Sequence, residues 1–362
     1  MNDLKRELSP LAGALENASQ RVLASGWFVL GPELEAFEAE WSDYLGGGHT
    51  AGLGNGTDAL ELALRALGIG PRDTVATVAN AGGYATTAIR AIGADVQYLE
   101  IGEQTALLDP AALPRPPAPM PAALIVTHLY GSAAPMAQIM EWSQAFDVPV
   151  VEDCAQAHGA RIDGRHVGTF GSAGCFSFYP TKNLGALGDA GAVFARERQL
   201  VDRVRSLRQY GWESKYEVRQ QGGRNSRLDE LQAACLRVRL DALDQSNRAR
   251  RDVARRYLEC IDNPAIEQPA RALDETDVFH LFTVRCGERD ALARHLADHD
   301  IASAIHYPRP DHLQPAWQGD RPAPGLERSE RHARQTLSLP CHPALSPEET
   351  DHVIDVCNRF AP

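Results

Sequence analysis

The sequence predicts an α/β fold on a mainly parallel, mixed sheet, with a smaller α+β part at the C-terminal end. Two patterns lead to that expectation. Short apolar runs at 74–79, 95–99, 123–127 and 148–152 alternate with helix-period stretches at 57–67, 84–92 and 135–146. Such alternation is the mark of parallel strands with helices on both faces. From residue 228 the character changes, and two amphipathic helical stretches (228–243 and 247–259) lead into strand-like 279–285 and helix-like 288–299 and 347–360. A chain of 362 residues suits two or three domains. The boundary is set between 1–249, the large domain with a helical N-terminal segment, and 250–362.

Taken in order, residues 8–45 read as helical pieces. In PELEAFEAEWSDYL, Leu34, Phe37, Trp41 and Tyr44 recur at helical spacing, and Pro32 suits a first helical position. The glycines at 46–48 stop that helix. Leu60, Ala63, Leu64 and Leu67 share one face of the next. ALIVT at 123–127 reads as a buried strand, and the proline-rich 114–121 before it as a surface connection. Residues 168–178 combine Gly and Ser with Phe170, Phe176 and Phe178, and 191–194 reads as a further strand. In 228–243, Leu228, Leu231, Cys235, Val238 and Leu243 form one stripe.

Composition narrows the function. Hydrophobic residues are 44% and charged residues 23%, as in ordinary globular proteins. With 36 Lys plus Arg against 48 Asp plus Glu, the net charge is −12. That field repels nucleic acid and anionic membranes, so neither is expected as a partner. An anionic ligand must be held by local donors. The seven Cys are odd in number and lack CxxC spacing, which reads as reduced, packed thiol in a cytoplasmic protein. No signal-peptide core and no run of about 18 apolar residues is present.

Three segments could carry chemistry. GLGNGTDALELAL (52–64) looks like a dinucleotide fingerprint but has Thr57 where a third small residue belongs, and no clear strand precedes it. It reads as a phosphate cup, Gly56 and Thr57 at the N-terminus of a helix, or as an ordinary capped helix start. VPVVEDCAQAHGA (148–160) sets Asp153 at the C-terminal end of a strand, where open α/β sheets bind ligands, with Gln156 and His158 following; alone, Asp153 is equally a helix cap. CFSFYPTKNLGALGDAGAVF (175–194) carries Lys182 in a Gly-flanked turn, a position for a desolvated nucleophilic lysine or for an ordinary surface one. Each is individually better explained by structure. Together they match one chemistry, since pyridoxal phosphate (PLP) enzymes need a lysine nucleophile, an acid for the ring nitrogen and a phosphate cup.

With GNGTDALELAL, HLYG (128–131), VVEDCAQAHGA, FSFYPTKNLGALGDAGA, RNSRLDELQAA (224–234) and HYP…HLQPAW (306–317) in that order, the chain resembles the DegT/DnrJ/EryC1/StrS family of PLP-dependent nucleotide-sugar aminotransferases of fold type I. The resemblance implies that Lys182 binds PLP and shuttles the proton, that Asp153 pairs with the pyridine nitrogen, and that Gln156 lies beside the ring hydroxyl. Gly56, Thr57 and Ser177 would hold the phosphate, joined by Asn225 from the partner of a homodimer with shared sites. Tyr84 is the one aromatic available to stack on the ring, displaced by about two positions from the family's usual place. On the sugar-nucleotide side the candidates are Lys215, Tyr216, Arg224 and Arg227, with His306, Tyr307 and His312. The resemblance adds Tyr210 near the sugar, and Trp27 and Phe28 in a loop over it.

The implied reaction is ping-pong transamination through PLP and PMP. L-glutamate leaves as 2-oxoglutarate, and a keto group of a nucleotide-linked deoxysugar accepts the amine, a 3-keto-6-deoxyhexose before a 4-keto sugar. A PLP-dependent sugar dehydratase, a non-catalytic sugar-nucleotide-binding regulator and a nicotinamide dehydrogenase are the other readings. No metal is expected.

Overall fold

A computed structural model of the chain describes residues 2–317 and 325–362. The N-terminal segment forms α1 (Leu4–Leu8), α2 (Ala12–Ser25) and α3 (Pro32–Tyr44). Pro32 opens α3 as expected, but Gly31 before it has no side chain to cap the first turn. Glu230, far along the chain and buried, does so instead. Its carboxylate accepts the N–H groups of Gly31, Glu33 and Leu34, each at 2.9 Å, which satisfies donors that a helix start leaves open.

The alternation follows as β1 (His49–Leu53), α4 (Gly56–Ala66), β2 (Thr74–Val78), α5 (Tyr84–Ala91) and β3 (Asp95–Leu99). It continues through β4 (Ala123–Thr127), α6 (Met136–Phe146), β5 (Val150–Asp153), the hairpin β6 (Arg161–Ile162) and β7 (Arg165–His166), β8 (Ala173–Ser177), β9 (Gly191–Ala195) and α7 (Arg198–Leu207). A short hairpin, β10 (Trp212–Ser214) and β11 (Glu217–Val218), precedes α8 (Glu230–Leu240) and α9 (Leu243–Cys260). The C-terminal lobe adds β12 (Ile266–Glu267), β13 (Phe282–Cys286), α10 (Arg289–Ala297), α11 (Glu327–Gln335), β14 (Thr336–Leu339) and α12 (Pro347–Arg359).

Seven strands form the main sheet in the order β1-β9-β8-β5-β4-β2-β3. The pairs β3/β2, β2/β4, β4/β5 and β5/β8 are parallel, and β9 runs antiparallel to both its neighbours. Every residue of β4 and β5 is buried, because helices cover both faces. Leu60, Ile89, Leu200 and Val204 pack on one side. Leu129, Ile139 and Trp142 pack on the other. A third cluster joins α3 to β8, with Trp41 edge-on to Phe176 at 5.1 Å and to Phe178 at 5.6 Å. Trp41 is fully buried, so Trp41→Ala is expected to cost about 3–5 kcal/mol, measured as a lower urea midpoint at unchanged slope.

Two sequence expectations need correction. A strand, β1, does precede the 52–64 segment; HTAGL is too short and glycine-containing to show as an apolar run, and its place is set by pairing with β9. The stripe on α8 is only partly buried, with Leu231 38% exposed. The helix packs on two sides, Ala234 and Val238 toward α2 and Ala233 and Leu236 toward α3, so its buried residues do not follow a single stripe. The 249/250 boundary falls inside α9, which is continuous across it. The 198–207, 327–335 and 336–339 segments, left unassigned from sequence, form α7, α11 and β14. Six of the seven cysteines are buried and Cys260 is exposed. Among the described residues no helix is long and apolar enough to cross a membrane.

Candidate active site

The site lies at the C-terminal ends of the parallel strands, where the alternation of side chains along β5 separates two carboxylates. Glu152 turns into the protein. It accepts Gly168, Phe170 and Gly171 N–H at 2.7 Å each, and lies 3.1 Å from His128 Nε2. His128 Nδ1 accepts the Ala134 N–H, so the ring proton sits on Nε2. Glu152, His128 and Cys154 are close enough together to hold a cation, but the carboxylate and imidazole are already spent on these bonds. Their work is to fix the 168–171 loop.

Asp153 turns into a cavity of ≈ 600 Å³, a size ordinary for small-molecule sites. Its Oδ1 accepts the Ala155 N–H at 3.1 Å. Burial raises its pKa, while that N–H and the Lys182 charge oppose the rise. Lys182 enters the same cavity from the turn after β8, where its own N–H bonds to Tyr179 O at 2.8 Å. Loss of hydration lowers its ammonium pKa to about 8, against the pull of Asp153. The shift gives Lys182 a larger neutral fraction near neutral pH than an exposed lysine has.

Gly56 and Thr57 form the third wall, at the start of α4. Asn55 caps that helix through the Asp58 N–H at 2.8 Å. A Cβ on Gly56 would lie 2.5 Å from Ser177 Cβ, so only glycine lets the strand-end serine close on the helix start. Free N–H groups, a helix dipole and a serine hydroxyl together suit an anion.

Opposite, Gln156 is anchored at both ends. Its Oε1 accepts the Tyr130 N–H at 2.7 Å and its Nε2 donates to Tyr307 Oη at 3.0 Å. Tyr84, the first residue of α5, is 51% exposed at the cavity. Its ring meets Tyr307 edge-on at 6.2 Å. Gly82 precedes it with φ +80°, and a Cβ there would lie 2.8 Å from the Tyr307 ring. His306 also lines the cavity, held through Nδ1 to Ser338 Oγ at 2.8 Å.

The other sequence candidates lie outside this cavity. Trp27 and Phe28 are 57% and 52% exposed. Tyr210 and Tyr216 flank Trp212, and Lys215 Nζ sits 5.2 Å over the Tyr216 ring. Asn225 is exposed and forms a bridge with Gln209. Two candidates are engaged elsewhere. Arg224, expected as an anion donor, pairs with Asp58 at 3.0 Å and with Glu61. His312, expected near the sugar, packs beside Tyr98 and pairs with Glu330 at 3.2 Å. Arg227 is half-buried and makes no ion pair among the described residues. His158 is buried among Trp41, Phe176 and Phe178, with its pKa pushed down to about 3. Six further polar residues line the cavity that sequence reading did not single out as site residues: Asn55, Thr127, Tyr179, Thr181, Asp189 and His280. Of these, Asn55 carried a usable signal as a capping residue before an amphipathic run.

Residues 12–358 match the DegT/DnrJ/EryC1/StrS aminotransferase family. The chain belongs to that family. It is 44% identical over 361 residues to dTDP-3-amino-3,4,6-trideoxy-alpha-D-glucose transaminase of Streptomyces venezuelae, covering 99% of this chain and 95% of that one. It is 42% identical over 349 residues to dTDP-3-amino-3,6-dideoxy-alpha-D-galactopyranose transaminase of Aneurinibacillus thermoaerophilus, covering 96% and 95%. The crystal structure of S. venezuelae DesV in complex with a ketimine intermediate superposes with TM-score 0.94 at 44% identity, covering 98% of this chain and 96% of that one. The fold is that of the sugar aminotransferases.

Proposed function

We propose that this family member uses PLP to move an amino group from L-glutamate to a keto group of a nucleotide-linked deoxysugar, a 3-keto-6-deoxyhexose before a 4-keto sugar. The observation behind this is the convergence of three groups on one cavity: the desolvated amine of Lys182, the strand-end carboxylate of Asp153 and the Gly56–Thr57 helix start. These are the donors that PLP asks for. The relatives named above act on 3-amino sugars, which favours the 3-keto acceptor.

When bound, PLP supplies an electron sink and, as PMP, carries the amine between half-reactions. The chain supplies the rest. Gly56, Thr57 and Ser177 would hold the phosphate, Asp153 the ring nitrogen and Gln156 the ring hydroxyl. Tyr84 would cover the ring face, where an offset stack adds about 0.5–1.5 kcal/mol beyond burial. Lys182 Nζ carries the proton to and from the reacting carbon in both half-reactions, which its lowered pKa allows near neutrality. His306 and Tyr307 reach the sugar hydroxyls. Visible absorption tests the reading. The spectrum of the PLP-loaded protein should change to that of PMP on adding L-glutamate and return on adding a dTDP-linked 3-keto sugar. PLP absorption that L-glutamate leaves unaltered would overturn the donor.

Asn225, Trp27, Phe28, Tyr210, Lys215 and Tyr216 are proposed to serve the partner's site in a homodimer, since they are exposed and stand away from the cavity of their own chain. Asn225→Ala and Lys182→Ala, each inactive alone, should then complement when co-expressed, to about a quarter of wild-type activity per total site if dimers mix randomly. Absence of any recovery in a verified mixed dimer would rule out sharing.

A further inference from the structure

The residue after the reactive lysine is held with unusual thoroughness. Asn183 is buried, and its side chain has three partners in other parts of the chain. Its Nδ2 donates to Asn247 Oδ1 at 2.8 Å and to the Val278 carbonyl at 3.0 Å. Its Oδ1 lies 3.0 Å from His280 Nδ1. Asn247, in α9, donates in turn to the His158 carbonyl at 2.8 Å.

This chain has a fixed direction. Backbone carbonyls only accept, so Val278 O sets the Asn183 amide and His158 O sets the Asn247 amide. Asn183 Oδ1 is therefore an acceptor, and the His280 proton lies on Nδ1. Nε2 is left as a bare lone pair. The ring lines the cavity with Lys182, and Nε2 makes no hydrogen bond among the described residues. Burial keeps the imidazole neutral, and the Lys182 charge pushes the same way.

We propose that His280 is a positioning residue for Lys182: Asn183 and Asn247 hold its ring in the tautomer that leaves Nε2 open to the cavity, as an acceptor to which the Nζ amine turns. The two lobes thus meet at the lysine, with its own neighbour Asn183 aiming a group of the C-terminal lobe back at its amine. This rests on Lys182 being the reacting amine, but the test below reads the lysine itself, so it stands or falls whether or not the chain transaminates.

The test exploits composition. The sequence contains three lysines, Lys5, Lys182 and Lys215. Reductive methylation of the cofactor-free full chain with ¹³C-formaldehyde would give three lysine signals that can be titrated separately by NMR, assigned by single replacement. His280→Asn keeps an N–H for Asn183 but removes the cavity acceptor. An acceptor favours the charged amine, so in His280→Asn the Lys182 signal should titrate about one pH unit lower, a tenfold change in the charged-to-neutral ratio. Lys5 and Lys215 should not move and serve as controls for folding. His280→Gln, which offers an acceptor near the Nε2 position, should recover part of the shift. The other ionisable groups lining the cavity, Asp153, Asp189, His306, Tyr84, Tyr179 and Tyr307, are unchanged in these variants. An unchanged Lys182 titration in folded His280→Asn would overturn the proposal, and so would an equal shift in Asn and Gln variants. If His280→Asn fails to fold, Asn183→Leu gives the same reading. Leucine offers His280 Nδ1 no acceptor, which frees the ring from its fixed tautomer, and an unaltered Lys182 titration there would equally reject the network.

Discussion

Lys182→Ala is expected to lower kcat by about 10⁴-fold while the protein stays folded and retains PLP without a covalent bond. The size follows from what one amine does. In the proposed reaction it is both the nucleophile that would hold the cofactor and the base that would move the proton, so no second group stands in for it. Gly56, Thr57, Ser177 and Asp153 stay in place, and binding should survive. A small primary amine such as methylamine should restore part of the rate by carrying the proton through solvent. Turnover within tenfold of wild type would refute the role of Lys182. Loss of PLP binding together with activity would mean that the phosphate cup is weaker than its geometry implies.

Asp153→Asn is expected to reduce kcat by about 10²–10³-fold, the scale of removing one preorganised electrostatic contact from a water-poor site. A second consequence has a definite sign. The Asp153 charge pulls the Lys182 pKa up against desolvation. Without that charge, Lys182 should titrate below about 8, and the low-pH limb of the pH–rate profile should move to lower pH. A profile that does not move would mean that Asp153 is neutral in the working enzyme. That is a real alternative to test, because burial already raises its pKa.

Much of this site is visible in sequence because its groups are local. Gly56–Thr57, Asp153 with Gln156, and Ser177 with Lys182 each sit within a few residues of a strand end or helix start, and the topology then gathers those ends on one side of the sheet. His280 was not visible. It stands in FHLF, which reads as the start of a strand, and what makes it a site residue is a contact with Asn183 almost a hundred positions earlier. The same holds for Glu230, whose service to α3 no local pattern announces. The ion pairs of Arg224 and His312 were equally invisible. Their residue types suit anions and hydroxyls, and in the fold they pair with carboxylates on α4 and α11. Tyr84, the one aromatic in 78–89, lines the cavity and is 51% exposed there.

The continuity of α9 has a mechanical consequence. Many two-lobed enzymes admit substrate by swinging one lobe about a hinge, a few residues whose backbone angles absorb the rotation. Here residue 250 lies inside an 18-residue helix, and a hinge at that point would break successive turns of backbone hydrogen bonds. Other bonds tie the lobes together. Thr86 Oγ1 donates to Asp311 at 2.7 Å, Ser329 N donates to Glu100 at 3.0 Å, and Tyr130 Oη bonds the His306 carbonyl. A rotation of one lobe about residue 250 would have to break these bonds as well as the helix, whereas Tyr84 and Tyr179, each 51% exposed where they line the cavity, can turn without breaking either.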